Sequence, residues 1–474
     1  MKEKANTLRA RLKVTTQRLK NRIKTESILR RALRDKLRAR DKIIARQKEE
    51  IAELKKITEP QRVPNCVYPV QMMVLAVFMV INGCSLRCTA KTVGFYSGLM
   101  GWKHKAPTFK TVSNWVQRCG LHALNLQKNL EGEYVGIIDA SIQMAREQLL
   151  LLLGVPLEAA AKLNRPLEFK DVEVLGMEVS RSWKGDEVQS FIERILSQCS
   201  KLSLRYFVCD KGTNLRCALR AMKMPVIDDC SHVMMNLVKR IFKDDAALSA
   251  LCASVGRLRS TWALTDKIFL LPPTLRDKDR FLRVFTLVEW MNRIDTYCHN
   301  LPTDVGVALL EKRNYWLDLR LRQVHHLLQM SAKILKCEGL CLAAYDKWIM
   351  EVIDFVQNER RITKQAKMFM EGMQDYFESH LALFKHENAL SCCSDIIEST
   401  FGRYKNKGGM KAISADVLVI ALYNQKISVD FVHAAMQTVK QPKVNQWKKK
   451  YVCQNRYGQR KQIEKQLNSG ESVF

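Results

Sequence analysis

The fold is decided by the stretch EYVGIIDASIQMAREQLLLLLGV, residues 133–155. Its first part, Tyr134–Ile138, is rich in β-forming residues and leads directly into Asp139. Its second part, Gln148–Val155, is a continuous apolar run, and it predicts a second strand. The chain therefore changes at this point from helical patterns to strand patterns.

The residues that follow alternate between strand and helix patterns. Val172–Val179 is a third, nearly alternating apolar run, and Leu204–Cys209 is a fourth that ends at Asp210. The other elements are an amphipathic helix over 185–200, a helix over 212–222, and a short strand over 225–227 that ends at Asp228 and Asp229. Three consecutive strands, then helix, strand, helix and strand, predict a mixed sheet covered by helices.

Residues 1 to about 58 have one long helical pattern, with no Gly or Pro before Pro60. Eight of the thirteen positions of a strict 4,3 alternation are apolar, which favours a coiled coil with polar interruptions. Residues 1–62 carry 21 basic and 8 acidic side chains. We interpret the segment as a dimerising, DNA-contacting arm; the alternative is a solvated helix. The thirteen positions are Leu12, Thr16, Leu19, Ile23, Glu26, Arg30, Leu33, Leu37, Arg40, Ile44, Gln47, Ile51 and Leu54.

Residues 67–125 predict three short helices. Thr108 is placed to cap the third, TFKTVSNWVQRCG, which we expect to end at Gly120. A polar last helix is typical of a helix-turn-helix unit, although any small helical bundle shows a similar pattern. The residues that this helix offers to DNA are Lys110, Thr111, Ser113, Asn114 and Gln117.

The rest of the chain is almost purely helical from His232 to Ala389, and a helix follows over Ser394–Lys405. The last forty residues are basic and lack a sustained apolar period, so we expect a partly flexible tail. The fold class is thus α/β plus all-α. Its segments are a basic coiled coil (1–60), a helix-turn-helix-like DNA-binding domain (67–125), the first part of the core (133–243), a helical insertion (244–390), the last part of the core (391–430) and a basic tail (431–474).

The amino-acid composition restricts the kinds of partner that the chain is expected to bind. Lys and Arg total 78 against 48 Asp and Glu, a formal net charge of +30. Nucleic acid is the commonest partner of so basic a chain; a membrane surface or a merely basic protein are the alternatives. The apolar run Val67–Leu86 contains polar residues and predicts a buried helix rather than a membrane span. The 15 cysteines form no CxxC pair, and the first sixty residues are charged, so we expect a cytoplasmic, nucleoid-associated protein with reduced thiols.

Three acidic residues suggest the chemistry. Asp139 and Asp210 each follow an apolar strand, and neighbouring strands would bring their like charges together, a repulsion that a divalent ion relieves. Glu398, in the amphipathic segment SDIIESTFGRYKNK, is the third candidate. Two Mg²⁺ or Mn²⁺ ions on such carboxylates are suited to phosphodiester chemistry. Any one of these acids alone is more often a turn residue or a helix cap. The cations that follow Glu398 and would contact phosphates are Arg403, Lys405 and Lys407.

The blocks IIDAS, VCDKGTN, DDCSH and DIIESTFGRYKNK resemble the signature blocks of bacterial insertion-sequence DDE transposases. The resemblance covers roughly residues 67–430 and implies a ribonuclease-H-like core with a helical insertion. It implies that Asp139, Asp210 and Glu398 are the catalytic, metal-binding acids. The family's Asp-x-x-His element matches Asp229 and His232, which would support the site. The residues after Asp139, Ala and Ser, are less polar than in many members of the family.

The resemblance implies metal-dependent DNA cleavage and strand transfer at transposon ends. The partners would be double-stranded DNA and further copies of the chain, joined in part by the N-terminal coil. One alternative is a catalytically inactive or domesticated sequence-specific DNA-binding protein. Another is a nuclease or resolvase on the same core that cuts branched DNA without joining it.

Overall fold

The computed structural model describes residues 2–58, 61–64, 66–102, 105–142, 147–162, 165–275, 280–297, 315–384, 389–406, 413–453 and 456–469. The chain forms two compact units, Met1–Arg62 and Val63–Phe474. The segments that the sequence suggests within the second range therefore belong to one compact unit, and their boundaries remain predictions.

The first unit is one long helix, α1, which spans Lys2–Thr58. Its uninterrupted course agrees with the absence of Gly and Pro before Pro60. The apolar seam residues from Leu12 to Ile51 are exposed along it.

The second unit is built on a five-stranded mixed sheet with the strand order β3-β2-β1-β4-β5. The first three strands are antiparallel neighbours, whereas β4 lies parallel to β1 and β5 parallel to β4. The five predicted strands are all present, with ends within a few residues of the prediction. Their bounds are β1 Gly132–Ile142, β2 Gln148–Pro156, β3 Glu173–Ser180, β4 Leu202–Cys209 and β5 Val226–Asp228.

Helices flank this sheet, as predicted, and make up most of the unit. The long run after β5 forms a packed group in which α8, α10, α11, α12 and α13 contact one another in neighbouring pairs. A 3-10 helix, Ala415–Leu422, follows α14. The α-helices in the described part of the unit are α2 Val70–Ile81, α3 Leu86–Leu99, α4 Phe109–Leu126, α5 Leu157–Lys162, α6 Gly185–Gln198, α7 Thr213–Ala221, α8 Cys230–Ile241, α9 Ala246–Trp262, α10 Arg280–Tyr297, α11 Tyr315–Glu338, α12 Leu342–Asn358, α13 Lys364–Phe384, α14 Asp395–Asn406, α15 Val429–Thr438, α16 Gln441–Tyr451 and α17 Arg456–Asn468.

The continuous apolar run of β2 is explained by burial of both its faces. Successive side chains of a strand point to opposite faces of the sheet. Leu150 and Leu152 join a core that includes buried side chains of α6 and α7. Leu149, Leu151 and Leu153 join the main core on the other face. The strand therefore tolerates no polar alternation, which is why its sequence reads as an unbroken leucine run.

Helix α4 begins as predicted but continues past its predicted end. The Thr108 hydroxyl accepts the Thr111 backbone N–H at 3.2 Å and caps the first turn. Gly120 does not end the helix, which runs on to Leu126. A Cβ on Gly120 would lie 2.2 Å from the Leu418 carbonyl oxygen, so this glycine permits close contact with the 3-10 helix.

The prediction of a partly flexible tail is wrong for residues 435–453, which are folded against the rest of the unit. Helices α15 and α16 pack against α4, and the Cys453 N–H donates to the Val179 carbonyl of β3 at 2.9 Å. The Arg118 guanidinium donates at 2.6 Å to the carbonyls of Met436 and Val439, at the end of α15. The prediction failed because each of these short helices buries only a few apolar side chains, and in α16 they stand among several lysines. The buried apolar residues are Val432, Ala435, Met436, Val444 and Trp447.

The apolar run near residue 70 forms a short buried helix, as predicted. Helix α2 has twelve residues, of which seven are buried. Within the described ranges, no helix has the length and apolar character that crossing a membrane requires.

Candidate active site

Two of the predicted acids meet at one end of the sheet because β1 and β4 are parallel neighbours. Ile137 of β1 is paired with Val208 of β4, and two residues further along each chain lie Asp139 and Asp210. Asp139 differs from the prediction in one respect. It lies inside β1, opposite Leu151 of β2, because β1 continues three residues beyond it.

The environment of Asp139 opposes its negative charge. Burial and, next in size, the nearby Asp210 carboxylate raise the pKa of this carboxyl to about 7, whereas the hydrogen bond from the Ala140 backbone N–H lowers it. That N–H donates to Asp139 Oδ1 at 2.7 Å. Ala140 has no polar side chain, but its backbone N–H still orients the Asp139 carboxylate. A half-buried carboxyl beside a second acid is an environment that a divalent cation would stabilise.

The second acid is oriented by the turn that follows it. Asp210 Oδ1 accepts the Gly212 backbone N–H at 2.9 Å, just before α7 begins. A Cβ on Gly212 would lie 2.8 Å from this same oxygen. The glycine thus lets the backbone approach the carboxylate closely enough to hold it.

Asp229 organises the part of the site formed by α8 and the segment before α14. It caps α8: its Oδ2 accepts the His232 backbone N–H at 2.9 Å and lies 2.6 Å from His232 Nδ1. Its Oδ1 accepts the Ser394 backbone N–H at 2.7 Å. Asp229 is only 1% exposed, so this carboxylate is committed to holding α8, the imidazole and the segment before α14.

Glu398 completes the group from α14. Its Oε1 lies 3.4 Å from His232 Nε2, and its charge contributes to raising the pKa of both Asp139 and His232. The hydrogen bond with Asp229 is the main cause that raises the pKa of His232 to about 9, although burial opposes it. His232 is therefore a cation at neutral pH, held between Asp229 and Glu398. The structure brings together all five of the residues predicted as catalytic or supporting.

This donor set fits a hard divalent cation. Asp139, Asp210 and Glu398 offer carboxylate oxygens, which are the ligands that Mg²⁺ and Mn²⁺ prefer. Glu398 is well exposed, so its side chain has freedom to adjust. Asp229 and His232 are placed to orient the ligands rather than to bind the ion, because the Asp229 oxygens already accept protein hydrogen bonds.

A neighbouring ion-pair cluster was not predicted from the sequence. Asp228, the last residue of β5, forms ion pairs with Lys211 and Arg216. Lys211 Nζ lies 3.5 Å from Asp228 Oδ2. These two cations balance the charge of Asp228. The only sequence signal was that Lys211 directly follows Asp210; the pairing itself depends on β4 lying beside β5.

The residues predicted to contact DNA from α4 differ in their surroundings. Lys110 is exposed, and Thr111 and Asn114 are half-buried. Ser113 and Gln117 line a cavity of about 280 Å³ that is also bounded by residues of α3, α14 and the 3-10 helix. Gln117 Nε2 donates to Ser113 Oγ at 3.1 Å. The N-terminal turn of α4 is thus the part best placed to contact a partner, because its later turns are packed.

The cations after Glu398 also differ from one another. Arg403 donates to the Ile81 carbonyl at 2.8 Å, and its guanidinium lies 4.4 Å from the ring centre of Tyr423. This position argues against the predicted contact of Arg403 with phosphates, because the guanidinium is engaged within the protein. Lys405 is exposed. Lys407 lies outside the described residues.

Thiols lie beside this site. The ligand atoms of Asp229, Cys230 and Cys393 are within 4.8 Å of one another. Cys230 is fully buried, and Asp229 already accepts three protein hydrogen bonds. Soft thiols do not suit Mg²⁺, so these cysteines belong to the packing around Asp229 rather than to the carboxylate site. The described cysteines are all free, without a disulfide between any two of them.

No family model matches the chain, and no curated protein matches it either. The function must therefore be inferred from the site and from the residues that form it.

Proposed function

We propose that this protein is a DDE-type transposase that cuts DNA at transposon ends and joins it to a target, using Mg²⁺ or Mn²⁺. The observation that carries the proposal is the meeting of three acids from distant parts of the chain. Asp139 comes from β1, Asp210 from the end of β4, and Glu398 from a helix that follows the long helical run. Their shared position is suited to phosphodiester chemistry.

The sheet supports a ribonuclease-H-like core for this enzyme. Three antiparallel strands are followed by two strands that run parallel to the first, and β4 lies directly beside β1. The helical run from α9 to α13 separates β5 from α14 in the chain. This agrees with the arrangement that the resemblance implies, in which an all-helical insertion precedes the helix of the glutamate.

The side chains have distinct roles in the proposed reaction. Asp139, Asp210 and Glu398 would hold two cations, and bound Mg²⁺ would activate the attacking oxygen and stabilise the leaving one. Asp229 orients the imidazole of His232, and His232 in turn positions Glu398. Water as the attacking group would give a nick, whereas a DNA 3′-hydroxyl would give strand transfer.

The charge of the chain supports DNA as the substrate. The net charge of +30 would attract the phosphate backbone whatever its base sequence. Among the described residues, Lys110 and Lys405 are exposed cations at the start of α4 and the end of α14. They are the predicted DNA contacts that the folded chain leaves most accessible.

The proposal is tested with supercoiled DNA that carries the inverted repeats flanking the gene. We expect Mg²⁺-dependent nicking and covalent strand-transfer products with the full chain. Asp139→Asn, Asp210→Asn and Glu398→Gln should each lower cleavage by roughly a thousandfold or more, as loss of a metal-ion catalyst implies. Asp186→Asn, at an exposed aspartate of α6, is the matched control and should cleave normally.

The other outcomes distinguish the competing functions. DNA binding without any nicking would favour the catalytically inactive DNA-binding protein. Nicking of branched DNA without joined products would favour a structural nuclease. Full cleavage by all three acid variants would refute the assignment of the site.

A further inference from the structure

Helix α1 has an apolar seam, formed by the apolar positions of its 4,3 alternation. Among the described residues of Met1–Arg62, no other segment covers this seam. Its 57 residues correspond to a length of about 86 Å at 1.5 Å per residue. Seven apolar seam side chains, each between 47% and 68% exposed, recur at heptad spacing. Such a seam is stabilised when it packs against a partner helix with the same repeat. The seven residues are Leu12, Leu19, Ile23, Leu33, Leu37, Ile44 and Ile51.

The polar residues of the seam disfavour a parallel pair of identical helices. A parallel, in-register dimer places each seam residue opposite its own copy. Glu26 would face Glu26, Arg30 would face Arg30, and Arg40 would face Arg40. Three layers of like charge in the seam would each oppose association, because the charges are partly removed from water there.

We propose that α1 pairs with α1 of a second copy in antiparallel orientation, with a two-fold axis midway between Glu26 and Arg30. In an antiparallel pair, each a position of one helix faces a d position of the other. With the two-fold axis midway between residues 26 and 30, two facing residues always have numbers that add up to 56. Between Leu12 and Ile44, each apolar seam residue then faces an apolar one, and each polar seam residue faces a polar one. The layers are Leu12 with Ile44, Thr16 with Arg40, Leu19 with Leu37, Ile23 with Leu33, and Glu26 with Arg30, each formed twice.

The central layers explain why this register is preferred to its neighbours. Glu26 of each copy faces Arg30 of the other, so two opposite-charge pairs lie on either side of the axis. A shift by one heptad would place these charges opposite leucines or isoleucines. Polar groups at core positions commonly fix register and orientation at some cost in stability. The charges of Glu26 and Arg30 thus select the antiparallel orientation and the register of the dimer.

Net charge points to the same orientation. Residues 2–31 carry eleven basic and two acidic side chains, whereas residues 34–59 carry nine basic and six acidic ones. A parallel dimer sets the strongly basic half beside its own copy. An antiparallel dimer sets it beside the half that holds most of the acids, which lowers the repulsion.

The orientation has a measurable geometric consequence. In the antiparallel dimer the two Thr58 residues lie at opposite ends of the coil, about 90 Å apart by helix rise. In a parallel dimer they would lie side by side, within about 10 Å. Dimerisation through α1 does not depend on the proposed chemistry, so the following test remains informative if the chain cuts no DNA.

The decisive experiment places a photo-crosslinking p-benzoylphenylalanine at position 19 of the full chain. Cleavage after glutamate separates the fragments 4–26 and 27–49. We expect fragment 4–26 of one copy to be joined to fragment 27–49 of another, near Leu37. Within one helix, positions 19 and 37 are about 27 Å apart, so this product cannot arise within a single chain. A link between two 4–26 fragments, or no link between copies, would overturn the proposal.

Charge reversal provides a second, independent measurement. E26R should raise the dissociation constant of the dimer at least tenfold, because Arg would face Arg in both central layers. E26R/R30E restores opposite charges and should bring the constant back to within threefold of the original. D35R, an acid-to-base change on the face opposite the seam, is the control and should have no such effect. Equal dissociation constants for E26R and the unchanged chain would contradict the antiparallel register.

Discussion

Asp229 holds the imidazole of His232 with the same oxygen that caps α8: Oδ2 lies 2.6 Å from Nδ1 and accepts the His232 backbone N–H at 2.9 Å. The other oxygen of Asp229 accepts the N–H of Ser394, four residues before Glu398. One buried carboxylate therefore connects the start of α8 to the segment that leads into α14. The position of Glu398 depends on this connection as well as on its own helix.

Removing the imidazole should weaken the proposed site without unfolding the protein. In His232→Ala, Glu398 loses the cation 3.4 Å from its carboxylate, so its orientation becomes less defined. Outer-shell changes of this kind cost roughly 10–100-fold in metal affinity or activity. We expect the Mg²⁺ concentration for half-maximal cleavage to rise, measured by titrating Mg²⁺ at saturating DNA. His433→Ala in α15 is the control, and an unchanged Mg²⁺ requirement in His232→Ala would exclude the positioning role.

Metal binding should be detectable without any DNA. Asp139 and Asp210 repel each other across the end of the sheet, and a bound cation would remove that repulsion. A ligand at about one hundred times its Kd stabilises the folded state by about 2.7 kcal/mol. We therefore expect Mg²⁺ or Mn²⁺ to raise the Tm of the unchanged chain.

Asp139→Asn separates this effect from general salt effects, because the amide can still accept the Ala140 N–H while carrying no charge. The variant should be at least as stable as the unchanged chain without metal, and it should lose most of the stabilisation by metal. Asp186→Asn should retain it. Equal stabilisation of all three proteins would argue against a cation at Asp139.

The sheet and the grouping of the acids could be predicted from the sequence because both follow from local patterns. The leucine run of β2 and the aspartates at the ends of two apolar runs are visible without tertiary information. Parallel pairing of β1 with β4 then brings Asp139 and Asp210 to the same end of the sheet. Nothing local could predict that Arg403 would pack against Tyr423, since these residues belong to segments that meet only in the folded chain.

The same limit explains the errors at the helix ends. Gly120 was expected to stop α4, because glycine commonly ends helices. Its actual role depends on Leu418, almost three hundred residues later, which needs the space that a side chain would occupy. The C-terminal helices were missed for a related reason. Their few apolar residues are buried by contacts with α4 and β3 rather than by a continuous apolar stripe.

The buried His380 should make stability depend on pH. Its Nδ1 lies 2.9 Å from the Tyr376 carbonyl, and its Nε2 accepts the Asp228 N–H at 3.2 Å. Only a neutral ring with its proton on Nδ1 satisfies both contacts. Burial is the main cause that lowers the pKa of His380, and the charges of Arg216 and Lys211 also lower it.

The sign of the dependence follows from proton uptake. As the pH falls below the unfolded pKa of about 6.5, the unfolded chain binds a proton that the folded chain still excludes, so the free energy of unfolding decreases. His380→Gln can still accept the Asp228 N–H but does not titrate. We expect the urea midpoint to fall less between pH 7 and pH 5 in this variant than in the unchanged chain. Parallel curves for the two proteins would contradict the assignment.

The contact at Gly120 predicts a large effect of one methyl group. Gly120→Ala would force α4 and the 3-10 helix apart, because the new Cβ would lie 2.2 Å from the Leu418 oxygen. Overpacking of a core typically costs about 1–3 kcal/mol. The matched control is Gly256→Ala within α9, where nothing lies within 4 Å of the added carbon. That change should stabilise the protein by up to about 1 kcal/mol, since alanine favours helix. Chemical denaturation of both variants measures the difference, and similar stabilities would refute the close contact.

The basic arm should contribute phosphate contacts that salt can reveal. Deleting residues 1–58 removes all of the excess positive charge of residues 1–62, where 21 basic side chains outnumber 8 acidic ones. Each lost phosphate contact flattens the log–log dependence of DNA affinity on salt by about 0.9. We expect weaker binding and a smaller slope, measured by fluorescence anisotropy between 50 and 300 mM salt.

Because the deletion would also remove dimerisation, L33S/L37S is the necessary control: it disrupts the seam and keeps every charge of α1. If the salt slope stays steep in this control and becomes shallow in the deletion, the phosphate contacts belong to residues 1–58. An unchanged salt slope in the deletion would show that α1 does not contact DNA.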